Sequence, residues 1–124
     1  MSDESKRTAD PLVAIRQKID HFSEVRDWGK YHTPKNLSMA LNIEAAELME
    51  IFQWRDGNEQ FADLDECKRS AVAHEVADVF IYLMRFCSVT GIDPVIAAEE
   101  KISLNDAKYP AEIVKGRSDK YSEY

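Results

Sequence analysis

LDECKRSAVAHEVADVFIYLMRFCSVTG, residues 64–91, is the stretch whose reading decides the fold. Val72, Val76, Val79, Leu83 and Phe86 recur three or four residues apart, the spacing of one helical face. The spacing predicts a helix that starts within residues 64–66 and stops at Gly91, a residue suited to the left-handed turn that ends helices. Ala77, Phe80, Ile81, Met84 and Cys87 occupy the other faces, so this helix is apolar almost all round. A helix of that kind has to be covered on every side, which a small domain does not achieve alone. Oligomerisation through a symmetric interface is therefore expected. The longest unbroken apolar run, residues 79–84, is far below the roughly 20 residues that span a bilayer, so no membrane crossing is expected.

Working outward, Thr33-Pro34 reads as a cap and first turn, and Leu37, Leu41, Leu48 and Ile51 mark a second helix reaching about Trp54. Asp10-Pro11 repeats the signal ahead of Leu12, Ile15, Ile19 and Phe22, predicting a first helix to about Trp28, with Gly29 just beyond it. Asp93-Pro94 opens a fourth, carrying Val95, Ile96, Ala98 and Ile102 and ending near Tyr109-Pro110. Residues 55–65 contain Asp56-Gly57 and many acids and read as a loop. No useful β-alternation or internal repeat is present. The expected architecture is an all-α, four-helix-bundle-like domain over residues 10–110, with a disordered N-terminal tail at 1–9 and a polar C-terminal tail at 111–124.

The composition narrows the chemistry. Over 124 residues, 16 Lys and Arg stand against 23 Asp and Glu for a net charge of −7, and no basic cluster forms a nucleic-acid footprint. Nucleic acid is accordingly not an expected partner. An acidic protein that handles an anion needs a local device to hold it, such as bound divalent cations. Cys67 and Cys87 make neither a metal-spaced pair nor a disulfide framework, so both are expected as free thiols in a reducing compartment. The polar first ten residues have no signal-peptide character, and cytoplasmic residence is the expectation.

Glu44 sits in the apolar stripe of the second helix, seven residues from both Leu37 and Ile51, and Glu47 follows one turn later. Glu75 and Asp78 repeat the spacing on the third helix. Four carboxylates facing one another repel and are costly to desolvate unless a cation joins them. Oxygen ligands of this kind suit magnesium or manganese. The residues equally allow four acids at the edge of the core, solvated and without a task. A carboxylate-bridged di-iron bundle would use Glu-x-x-His, which neither helix carries.

The order Arg26-Asp27-Trp28, His32, Pro34, then Glu44-Ala45-Ala46-Glu47 into Phe52-Gln53-Trp54, then Glu75-Val76-Ala77-Asp78 with Ile81-Tyr82-Leu83 resembles the all-α nucleoside triphosphate pyrophosphohydrolases. Within that MazG-like superfamily the dCTP pyrophosphatase branch is the most similar. The likeness continues through Lys101, Asn105 and Lys108-Tyr109-Pro110 to Lys120-Tyr121. Ile43, where many MazG proteins have a second acid before the glutamate, is a departure that leaves the metal set intact.

The resemblance implies magnesium-dependent hydrolysis between the α- and β-phosphates of a nucleoside triphosphate, dCTP or a C5-modified form. A dUTP-directed or broad-specificity pyrophosphatase is the enzymatic alternative, and a non-catalytic helical interaction module the non-enzymatic one. It further implies Glu44, Glu47, Glu75 and Asp78 as metal ligands, with magnesium or manganese bound. Trp28 and Trp54, with His32 and Tyr82 nearby, become the base pocket, and Lys101 and Asn105 the phosphate and sugar contacts. A homotetramer built from two dimers is implied as well. Taken alone, a tryptophan at a helix end covers the core, and Lys101 and Asn105 form a solvated face. His21 and His74 are expected to be structural, and Arg85 and the Lys115-Gly116-Arg117 segment are given no role.

Overall fold

A computed structural model of the chain describes residues 10–118. The expected tail at 1–9 and the Lys120-Tyr121 end of the resemblance lie outside the described residues. Among the described residues five α-helices follow one another: α1 (Pro11–Glu24), α2 (Pro34–Phe52), α3 (Glu66–Thr90), α4 (Pro94–Lys108) and α5 (Ala111–Val114). Among the described residues there is no strand, and the fold is all-α. The chain forms two compact units that divide after Gly91, the first holding α1, α2 and α3 and the second α4 and α5. No single helix among the described residues is long and apolar enough to cross a membrane.

The helix starts are where local chemistry puts them. Asp10 accepts from the Leu12 amide at 2.9 Å, Thr33 from Asn36 at 3.2 Å, Asp65 from Lys68 at 2.7 Å and Asp93 from Val95 at 2.9 Å. Each cap satisfies a backbone donor that the first turn leaves unpaired, and three of the four are followed by a proline whose missing N–H costs nothing there. Gly91, at φ 75°, closes α3 with its amide on the Cys87 carbonyl at 2.9 Å.

The end of α1 differs from expectation. The helix stops at Glu24, short of Trp28, and the left-handed residue is Asp27 at φ 53°. The amide of Asp27 reaches the Glu24 carbonyl at 3.0 Å and that of Trp28 the Ser23 carbonyl at 3.0 Å. This is the paired hydrogen-bond pattern of a Schellman ending with aspartate in the place glycine usually takes. Gly29 instead opens a short 3-10 turn, Gly29–Tyr31. α2 ends two residues earlier than expected, at Phe52, and the loop before α3 includes a second 3-10 turn, Phe61–Asp63. The segment expected as a polar C-terminal tail contains α5.

Within the first unit, α3 packs most extensively on α2 and then on α1. Among the described residues the buried apolar set is small: Ile19 of α1, Leu37 of α2, Leu64 of the loop, and Met84 and Cys87 of α3. Ile19, Met84 and Cys87 touch, with Leu12 and Phe80 packed at their edge. Several apolar residues of α3 stay exposed, among them Val76, Ile81, Leu83 and Val89.

Candidate metal centre and adjoining cavity

α2 and α3 bring Glu44, Glu75 and Asp78 together. One carboxylate oxygen from each lies within 4.8 Å of the other two, and all three residues are half-buried. The Glu44 position lies about two turns before the end of α2 and Glu75 between two and three turns into α3, so packing between the helices sets the meeting. Asp78 joins because it stands one turn after Glu75 on the same face. Glu47 is exposed and outside that close group, yet its carboxyl bears on Glu44.

The electrostatics are unsettled within the chain. Glu44 is pushed up to about 7, first by burial, then by the adjoining carboxyls of Glu47 and Glu75 and by the charges of Glu47 and Asp78. Glu44 Oε2 and Glu75 Oε2 are buried and have no hydrogen-bond partner. Buried acceptors without donors are costly, and a divalent cation is the group that oxygen donors in this arrangement fit. The donor set therefore suits a hard metal, with no nitrogen or sulfur ligand in the group.

Asp78 also lines a cavity of about 360 Å³ on the α1 side of α3, with Trp28, His32, Ile81, Tyr82 and Arg85 among its walls. The αL turn at Asp27 delivers Trp28 to this wall. Its ring meets Phe22 edge-on, with centroids 5.6 Å apart, and His32 at 6.4 Å. The Arg26 guanidinium lies 3.6 Å from the centre of the Phe22 ring and donates to the Phe22 carbonyl at 3.0 Å, covering the aromatic pair from outside.

A polar chain runs from His32 and Arg85 on the cavity wall to Asp20 and Ser88. Arg85 Nε donates to His32 Nδ1 at 2.9 Å, Arg85 Nη1 donates to Asp20 Oδ1 at 2.8 Å, and the Ser88 hydroxyl donates to Asp20 Oδ2 at 3.0 Å. Burial, and then the Arg85 charge, hold His32 below the ordinary histidine pKa of 6.5.

Of the residues singled out from sequence, the first unit thus brings Glu44, Glu75 and Asp78 into one group with Glu47 beside it. Trp28, His32 and Tyr82 share the cavity next to that group. Trp54 does not line the cavity: it stands 90% exposed just past the end of α2. Lys101 and Asn105 are exposed, one turn apart on α4, within the second unit. Sequence reasoning passed over Asp20, Phe22 as a cavity wall, and Arg85. Arg85 did carry a signal, because a lone guanidinium between apolar neighbours on α3 needs a carboxylate partner. Asp20 carried none.

An all-α unit thus holds three carboxylates that could bind a cation beside an aromatic cavity. The chain belongs to the MazG-like family, whose model matches residues 39–124. It is similar to human dCTP pyrophosphatase 1, 36% identical over 113 residues that cover 90% of this chain and 66% of the human protein. The rat dCTP pyrophosphatase 1 is 34% identical over the same share of each chain. This chain thus spans about two thirds of the length of the curated relatives it matches. Among solved structures, a pyrophosphatase from Archaeoglobus fulgidus superposes with a TM-score of 0.76 at 40% identity, over 82% of this chain and 94% of the archaeal one.

Proposed function

We propose that this chain is a magnesium-dependent nucleoside triphosphate pyrophosphohydrolase that cleaves between the α- and β-phosphates. The substrate is dCTP or a C5-modified dCTP, and the products are the monophosphate and pyrophosphate. The observation that carries this reading is the double place of Asp78, which belongs both to the carboxylate group and to the wall of the aromatic cavity. A nucleotide with its base in the cavity has its phosphates beside the acids. The relatives named as dCTP pyrophosphatases and the archaeal pyrophosphatase support the same reading.

Glu44, Glu47, Glu75 and Asp78 would hold the metal, magnesium with manganese as the alternative. When bound, the metal supplies charge that offsets the triphosphate and Lewis acidity that favours attack at phosphorus. The chain's own contribution begins with ionisation: Glu44, raised to about 7, releases its proton when a cation enters, and the unpartnered oxygens of Glu44 and Glu75 are then satisfied. Trp28 and Tyr82 offer flat faces to a pyrimidine, and the apolar wall at Ile81 keeps water from the ring. Trp54, Lys101 and Asn105 are assigned to the base, phosphates and sugar on the resemblance of their motifs.

The reading also includes a homotetramer of two dimers. Its support is the set of large apolar residues exposed on α2 and α3, including Met39, Ile43, Met49, Val76 and Leu83. Sedimentation at micromolar concentration tests it, and a species of 14.2 kDa contradicts it.

The decisive experiment is a screen of the common and C5-modified triphosphates, with and without magnesium, with product analysis. Pyrophosphate and dCMP from dCTP are expected, and only when the metal is present. Orthophosphate as the first product overturns the cleavage site, and a preference for dUTP moves the substrate to the alternative. Hydrolysis of none of them leaves a helical interaction module.

A further inference from the structure

Arg85, Asp20 and Ser88 form a hydrogen-bonded chain that ends on His32, and neither the carboxylate group nor the stacking wall uses it. A guanidinium has only donors, so His32 Nδ1 accepts with its lone pair and the ring proton sits on Nε2. Among the described residues Nε2 has no hydrogen-bond partner, and the ring lines the cavity. Asp20 accepts from both Arg85 Nη1 and Ser88, which keeps the planar fork from swinging away from the imidazole.

We propose that Arg85, braced by Asp20 and Ser88, is a positioning residue that fixes His32 as the Nε2–H tautomer, and that this fixed donor selects cytosine over uracil or thymine. Stacking on Trp28 and Tyr82 hardly distinguishes these rings, since each offers a similar flat face. Their edges differ at one atom that matters here. Cytosine N3 is unprotonated and accepts, whereas uracil and thymine carry a hydrogen on N3. A histidine free to exchange tautomers accommodates either base, by donating to one and accepting from the other. A histidine whose Nδ1 is held by a guanidinium cannot. Opposed to N3–H it leaves two donors facing each other without water, the mismatch through which polar sites reject near-isosteres.

The tautomer stands on the geometry alone, while the choice of base rests on the proposed nucleotide function, so the experiment reads the two separately. Long-range 1H–15N spectra of the full chain report the His32 tautomer without turnover. Calorimetric binding of dCTP and dUTP, alongside kcat/KM for each, reports selection. The parent chain is expected to show Nε2–H, and Arg85→Met, which keeps the bulk and loses the donors, a mixture of tautomers. In that variant the dCTP-to-dUTP preference narrows about tenfold, chiefly through Kd and KM. Arg85→Gln, whose amide still donates to Nδ1, restores most of the preference, which a merely space-filling role would not predict. If Arg85→Met does not fold, Asp20→Asn and the parent spectrum decide. A parent His32 protonated on Nδ1, or unchanged selection in a folded Arg85→Met chain, overturns the proposal. A parent that binds dCTP tightly but hydrolyses nothing defeats the enzymatic reading and leaves this one standing on the binding data.

Discussion

Asp20 and Glu44 are both half-buried carboxylates of the first unit, and their surroundings are opposite in sign. Asp20 meets a guanidinium and a hydroxyl, both donors, so its charge is settled inside the chain. Glu44 meets other acids and has one oxygen with no partner at all. A satisfied carboxylate holds neighbouring groups in place; an acidic cluster with unpartnered oxygens is one that a cation would fit. The difference separates scaffold from site by the chemistry of the neighbours: donors around Asp20, acids around Glu44.

The largest expected effect comes from breaking the unsettled side. Asp78→Ala or Glu47→Ala should lower turnover by at least about a hundredfold, because each removes a ligand from the proposed metal set. Thermal unfolding in metal-free buffer should not drop, since the change also relieves repulsion. Retention of most activity by either variant would remove that residue from the set. Next in size is Trp28→Ala, which should weaken dCTP capture about tenfold through loss of one stacking face, with a smaller change in kcat. Steady-state kinetics with dCTP and dUTP measures it, and the same measurement on Trp54→Ala reads how far that exposed ring contributes.

On the settled side the sign of the stability effect reverses. Asp20→Ala should destabilise the metal-free chain by about 1 kcal/mol, because Arg85 and Ser88 lose their acceptor. Denaturant unfolding beside Asp78→Ala makes the contrast direct, and equal losses in both would erase it.

The last effect is a pH dependence. The folded chain holds the Glu44 proton more tightly than the unfolded chain, about 7 against an ordinary 4.5. The stability this group contributes is therefore complete below pH 4.5 and is lost as pH rises through about 7. His32 works in the opposite sense: held below 6.5, it costs stability as pH falls through that ordinary value. Subtracting the two by comparing the parent with Glu44→Gln isolates the first. Without metal, the variant should gain on the parent as pH rises through 7, and added magnesium should remove the gain.

The sequence by itself determined the first four helices and where each starts, because caps and apolar periodicity act over one to four residues. Asp10, Thr33, Asp65 and Asp93 each bind an amide two or three positions away, within reach of local reading. The pairing of Glu44 with Glu47 and of Glu75 with Asp78 was legible for the same reason: i, i+3 spacing fixes neighbours on a helix. The end of α1 was not legible even locally: the helix stops at Glu24 and Asp27 takes the left-handed position, which turns Trp28 into the cavity wall. Only the tertiary structure decided which of the four acids converge closely, and that Asp78 faces two ways. It alone joined Arg85 to His32, 53 residues away, and to Asp20, 65 residues away. Such contacts depend on how α1, the Gly29–Tyr31 turn and α3 pack, and packing is set by whole helix faces, so no short window of sequence contains it.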